Sequence, residues 1–364
     1  MIENLYHIAA VPFEAARQVN ILPKGHRSSR LHGHSFLARV RAALPADWSS
    51  FPGAEIEELR TAVEQCVTRL DYELLNNYLK VPTDENLAKW ISQGIDIPGV
   101  KMVGVQSTHN EGADLDLNGH AHIWRRYRFE SAHHLPNVPD GHPCGRIHGH
   151  GFEVILHANQ SINEQDMGVD YDFLDKCWAP LHKELDHTYL NDIPGLENPT
   201  SEMIAAWVWK RMKEKVPQLS WVTVYETVTA GCHFDGTHYR IWKEQRFESA
   251  LRLQYAPIGD RRRKLHGHSY LLRLHLTSPL DRVMGWTVDY GDVKQTFKPV
   301  YKILDHHLLD EVEGILDTNP ASIAKWIRHR VGNDLPQLDR IDLYQTPGCG
   351  AIYSWGQQGP ALPT

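Results

Sequence analysis

Cys144-Gly-Arg-Ile-His-Gly-His150 is the stretch from which the rest of the chain can be ordered. His148 and His150 are two residues apart, so on an extended strand their imidazoles share one face. Gly149 faces the other way and adds no bulk. Cys144 places a thiol four residues upstream, and Phe129-Glu-Ser-Ala-His-His-Leu135 offers His133 or His134 as a third imidazole. Three neutral His ligands with one open position make the catalytic zinc arrangement. A thiol beside such a site can ionise near neutral pH and serve as base or nucleophile.

The same stretch reveals an internal repeat. His-Gly-His begins at His32, His148 and His266, with steps of 116 and 118 residues. Phe-Glu-Ala/Ser-Ala begins at Phe13, Phe129 and Phe247 with the same steps, and a helix-ending Trp recurs at Trp90, Trp207 and Trp326. Three markers on one period define three copies of a unit of about 120 residues. The expected units are 1–122, 123–243 and 244–364. No Gly/Ser-rich linker separates them, so tight packing is expected rather than independent tumbling.

Each copy reads as α+β, a four-stranded antiparallel sheet with two helices on one face. In the first copy, strands are predicted over Arg39–Ala43 and Val100–Thr108. Helices follow from the apolar steps in Ala54–Leu70 and from Leu87, Trp90 and Ile91 after Pro82. The middle copy gives strands over Tyr127–His134, Gly151–Ala158, Ser220–Val228 and Thr237–Trp242, and helices over Tyr171–Leu185 and Ser201–Lys215. The third gives strands over Leu271–Leu276 and Arg340–Thr346, and helices over Val293–Leu304 and Ile323–Val331. The Gly/Pro-rich tail from Gly356 is expected to fray.

Composition narrows the function classes. A net charge of −7 leaves no electrostatic footprint for nucleic acid or an anionic membrane. No apolar run has the length of a membrane span, and residues 1–10 lack the pattern of a signal peptide. Five cysteines without a framework of spacings suit a reducing compartment, so the cytoplasm is the expected location.

The middle copy resembles the 6-pyruvoyl-tetrahydropterin synthase family. It is most similar to the 6-carboxy-tetrahydropterin synthase branch of queuosine and 7-deazapurine biosynthesis. The motifs that carry the resemblance are Phe129-Glu-Ser-Ala-His133, Cys144 to His150, Leu185-Asp-His-Thr-Tyr-Leu-Asn191, Asn198-Pro-Thr-Ser-Glu202 and Tyr225-Glu-Thr-Val-Thr-Ala-Gly-Cys232. The resemblance implies the tunnelling fold, in which three units close into a barrel and two rings stack. One chain would be a covalent pseudo-trimer, and a homodimer would make a pseudo-hexamer. It also implies His133, His148 and His150 as zinc ligands, Cys144 as general base, and Glu226 as the anchor of the pterin ring. Glu202 and Thr227 are further candidates for substrate contact. An Asp-His relay is implied, and two pairs compete for it: Asp186-His187 and Asp305-His306. The implied reaction converts 7,8-dihydroneopterin triphosphate, a small-molecule substrate, to 6-carboxy-5,6,7,8-tetrahydropterin, acetaldehyde and triphosphate. The alternatives are 6-pyruvoyl-tetrahydropterin synthase activity and a non-catalytic pterin- or zinc-binding scaffold.

The flanking copies act as internal controls. The His133 position is Arg17 in the first and Leu251 in the third, and the Cys144 position is Ser28 and Arg262. The Glu226 position reads as Gln106 and Gln345, and the first copy has Asp71-Tyr72 in place of the relay. Two ligands hold zinc poorly, so one zinc per chain is expected. The cationic run Arg261–Lys264 is either a solvated face or a triphosphate contact.

Overall fold

The computed structural model describes residues 3–23, 25–161, 169–356 and 359–360. The first unit has strands β1 (Asn4–Arg17), β2 (His32–Ala42), β3 (Val100–Thr108) and β4 (Glu111–Asp116), with helices α1 (Glu55–Val67) and α2 (Asp84–Gly94). The second has β5 (His120–His133), β6 (His148–Ser161), β7 (Leu219–Thr227) and β8 (Ala230–Phe234), with α3 (Tyr171–Leu185) and α4 (Ser201–Lys213). The third has β9 (Tyr239–Leu251), β10 (His266–Thr277), β11 (Leu338–Thr346) and β12 (Cys349–Ser354), with α5 (Tyr290–Leu304) and α6 (Pro320–Val331).

These twelve strands pair antiparallel into a closed barrel. Within each unit the second strand pairs with the first and third, and the third with the fourth. Pairs β4–β5, β8–β9 and β12–β1 join the units, so the ring leaves no long edge open. The fourth strand of the middle unit is β8, a correction: Thr237–Trp242, expected in that role, belongs to the next unit's first strand. Turns at Gly119 and Gly236 separate the units. The boundaries expected near 122 and 244 therefore lie a few residues into β5 and β9. The tail beyond Gly356, expected to fray, falls largely outside the described residues.

Strand alternation builds two environments. Outward side chains pack under the helices in three apolar cores, one per unit. Each has a pair of stacked aromatic rings across its first hairpin: Phe13 on Phe36, Phe129 on Phe152, and Phe247 on Tyr270. Inward side chains line the lumen with aromatic groups and buried ion pairs, such as Arg39–Asp114 at 3.1 Å, Arg273–Glu244 at 2.9 Å and Arg340–Asp342 at 2.6 Å. Breaking one such pair strands a buried charge, at about 3–5 kcal/mol. Gly231 shows how tightly the last strand of a unit packs: an added Cβ would lie 2.2 Å from the Val224 carbonyl oxygen and 2.4 Å from the Trp242 ring.

Candidate metal centre

Strand register brings the three imidazoles together. His133 is directly opposite His148 across the β5–β6 ladder, and His150 follows on the same face. Ring centroids are 4.4 Å apart for His133–His148, 5.2 Å for His133–His150 and 4.9 Å for His148–His150. Phe152 lies beneath, edge-on to His133 and His150. The neighbour, His134, is turned away and stacks on Tyr189.

The donor set fits a metal ion. One ligand atom each from His133, His148, His150 and Glu226 lies within 4.8 Å of all the others. His133 is fully buried, and its Nδ1–H donates to the Pro199 carbonyl at 3.0 Å. His148 Nδ1–H donates to the Arg146 carbonyl at 2.8 Å. These bonds fix the tautomers and leave Nε2 as the free lone pair on both rings, as metal-ligating His residues require. Nε2 of His133 and of His150 is buried without a hydrogen-bond partner, a cost that a cation would remove. Burial, with the neighbouring imidazoles opposing charge, holds His133 down to about 4, so it stays neutral and able to ligate.

The centre lies where the second unit meets the third. Glu226 Oε1 is 3.7 Å from His150 Nε2. Burial, then the charges of Glu202 and Asp289, pushes its carboxyl up to about 7. Burial, then Glu226 and Asp289, also raises the Cys144 thiol. A cation in the His cluster would oppose both shifts. Cys144 sits on a single 3-10 turn whose cap is His142: Nδ1 accepts the Cys144 N–H at 3.2 Å, while Nε2 faces Asp289 Oδ2 at 3.2 Å. Asp289 caps α5 of the third unit. The thiol loop is thus tied across the interface by two residues that the sequence reading did not single out.

Glu202 is buried. One oxygen accepts the Thr287 N–H at 2.8 Å and the Thr287 hydroxyl at 3.1 Å, and the other accepts the Ser201 hydroxyl at 3.0 Å. Thr227 is exposed at the turn after Glu226. Neither relay candidate forms a hydrogen bond or ion pair with Cys144. Asp186 accepts the Glu130 N–H and bonds His187 Nδ1, both at 2.9 Å. Asp305 repeats this with Glu248 and His306, both at 3.0 Å. Both His residues have left-handed backbones, and their side chains are 77 % and 76 % exposed.

In the first unit Arg17 stands opposite His32 and donates to Asp84 Oδ1 at 2.6 Å and to His34 Nε2 at 3.2 Å. A guanidinium occupies the ion's place. In the third unit Leu251 stands opposite His266. One correspondence is corrected. Gln106 faces Gly112 as Tyr225 faces Gly231, so the residue in the Glu226 position is Ser107, whose hydroxyl donates to Asp84 at 2.7 Å. Gln345 keeps the position in the third unit. Arg262 pairs with Asp260 at 2.7 Å and Glu57 at 3.3 Å, so the Arg261–Lys264 run lies where the third unit meets the first, away from the His cluster.

A closed antiparallel barrel of three α+β units, with a three-His cluster at one junction, defines a tunnelling-fold protein with a candidate metal site. The chain belongs to the family described as 6-pyruvoyl tetrahydropterin synthase, whose family model matches residues 8–116, 122–237 and 240–355. It is 40 % identical over 119 residues to the 6-carboxy-5,6,7,8-tetrahydropterin synthase of Synechocystis sp., covering 31 % of this chain and 91 % of that protein. It is 32 % identical over 97 residues to a dihydroneopterin monophosphate aldolase of Pyrococcus furiosus, covering 27 % and 79 %. The 6-pyruvoyl tetrahydropterin synthase structure from Caenorhabditis elegans shares 20 % identity, with a TM-score of 0.29, over 32 % of this chain and 95 % of that one. Among the described residues, no helix is long and apolar enough to cross a membrane.

Proposed function

We propose that the chain is a zinc-dependent lyase that converts 7,8-dihydroneopterin triphosphate and one water to 6-carboxy-5,6,7,8-tetrahydropterin, acetaldehyde and triphosphate. The observation that carries this reading is the convergence of three imidazoles, a thiol and a half-buried carboxylate at one junction between units. The name of the Synechocystis relative supports the reaction. His133, His148 and His150 would hold zinc, one per chain. Zinc supplies a Lewis acid that polarises side-chain oxygens and acidifies the adjacent C–H bonds.

The chain's own residues do the rest. Glu226 accepts paired hydrogen bonds from a ring N–H and a 2-amino group, a charge-assisted contact that orients the pterin. Cys144 takes and returns protons on the substrate side chain. His142 and Asp289 hold the thiol loop in place. The relay is assigned to a second chain. His187 and His306 project into solvent, and a second barrel stacked on this one would deliver such a pair to Cys144. This favours a homodimer of barrels.

Product analysis with the zinc-loaded protein and 7,8-dihydroneopterin triphosphate tests the reading. Carboxytetrahydropterin plus acetaldehyde, lost in Cys144→Ala, is the expected result. A pyruvoyl product would move the chain to the sister activity with the same site, and no product from zinc-loaded protein would sink the catalytic reading.

A further inference from the structure

A cavity of about 710 Å³ opens where the first unit meets the second. It holds the place in the first unit that the His cluster holds in the middle one. Its lining includes Arg17, His32 and His34, the counterparts of the three ligands. Tyr171 closes it from α3, donating its hydroxyl to Asp84 at 3.0 Å. Tyr290 of α5 likewise bonds Ser201 at the junction of the second and third units. A guanidinium forms this floor. Arg17 and Asp84 are 6 % and 1 % exposed, and Arg17 Nε has no hydrogen-bond partner.

Chemistry has been removed here, but recognition has not. Ser28 replaces the thiol and a guanidinium replaces the ion, so neither proton transfer by a thiol nor Lewis-acid activation is possible. Five carboxylates nonetheless line the cavity, Asp84, Glu85, Glu111, Asp170 and Asp172, and Glu85 and Glu111 are the two glutamates among them. Glu85 accepts from Gln160 Nε2 at 3.0 Å, and Glu111 accepts from Arg125. Burial raises both carboxyls, as it does that of Glu226. Arg27 and Arg30 also line the cavity and are exposed, Arg27 pairing with Asp172 at 3.1 Å and Arg30 forming no ion pair among the described residues. Acceptors within and cations outside complement a ligand with an amino-substituted ring at one end and phosphate at the other.

We propose that this cavity is a second, non-catalytic site that binds the same class of pterin phosphate as the junction of the second and third units. The ring's N–H edge meets Glu85 and Glu111, and the phosphates meet Arg27 and Arg30. The proposal rests on the pterin reading of the catalytic site.

Calorimetric titration of the metal-loaded Cys144→Ala chain with 7,8-dihydroneopterin triphosphate tests it. The expected stoichiometry is two per chain, falling to one when Ser28→Trp is added to fill the cavity. Retention of one metal ion per chain shows that the Trp variant is folded. Should it not fold, Glu85→Gln with Glu111→Gln decides, and should weaken one of the two binding events at least tenfold. One ligand per chain in the Cys144→Ala protein, or two unchanged by these substitutions, overturns the proposal. A parent chain that turns over substrate but binds one ligand sinks only the second site. A parent chain without turnover whose Cys144→Ala form binds two sinks only the catalytic reading.

Discussion

His133 keeps Nε2 free because Nδ1–H is spent on the Pro199 carbonyl, and the buried lone pair then has no protein donor to turn to. His133→Ala should therefore lower zinc affinity more than tenfold, measured by competition with a chelator. Cys144→Ala should leave the metal content at one per chain while lowering turnover by about 10²–10⁴, the range for loss of a positioned proton-transfer group. The contrast with Arg17 shows how one side chain decides between an ion site and an internal salt bridge. Arg17→Ala should destabilise the fold by about 3–5 kcal/mol in denaturant titration, because Asp84 would be left as a buried, uncompensated charge.

At the scale of the hairpin, each unit presents a His-x-His pair, and the residue opposite its first His differs in each. Leu251 is buried and uncharged, so Leu251→His adds a third imidazole to His266 and His268 without stranding an ion. That variant should bind two zinc ions per chain where the parent binds one, read by metal analysis after dialysis. Much of this was legible in the sequence. The period of the His-Gly-His motif exposed the repeat, and the order of elements shared between copies placed α3 at Tyr171–Leu185, the helix observed. The fourth strands were harder. Ala230–Phe234 is buried along its whole length, so it lacks the alternation that marks a half-exposed strand. Gln106 was paired with Glu226 by type, but the ladder has an irregularity between Gln106 and Thr108, and a slip of one residue moves a side chain to the other face. Asp289 and His142 were invisible for a different reason. They meet only because two units meet.

Across the whole molecule, the lumen carries imidazoles that folding keeps neutral. Burial holds His157 down to about 3 and His275 to about 4, and His233 well below its ordinary value. The unfolded chain takes up protons on these groups near pH 6.5, whereas the folded barrel does not until pH falls towards 4. Stability is therefore fully present above about pH 6.5 and declines as pH drops through that window, by up to about 1.4 kcal/mol per pH unit for each group. A melting temperature that stays level from pH 7 to pH 4.5 would contradict this. The exposed relay pairs give a second test at this scale. Mixing Cys144→Ala chains with chains carrying both His187→Ala and His306→Ala should restore part of the turnover that each lacks alone, if proton relay passes between barrels. Finally, β12 pairs with β1, so the first and last strands of the chain are neighbours in the ring. Order around the barrel follows order along the chain, and the closed ring fixes no starting point. A gene rearranged to begin at the Gly236 turn, with the old ends joined, would encode the same circle with its units in the sequence third, first, second, and the circle has no preferred place to start.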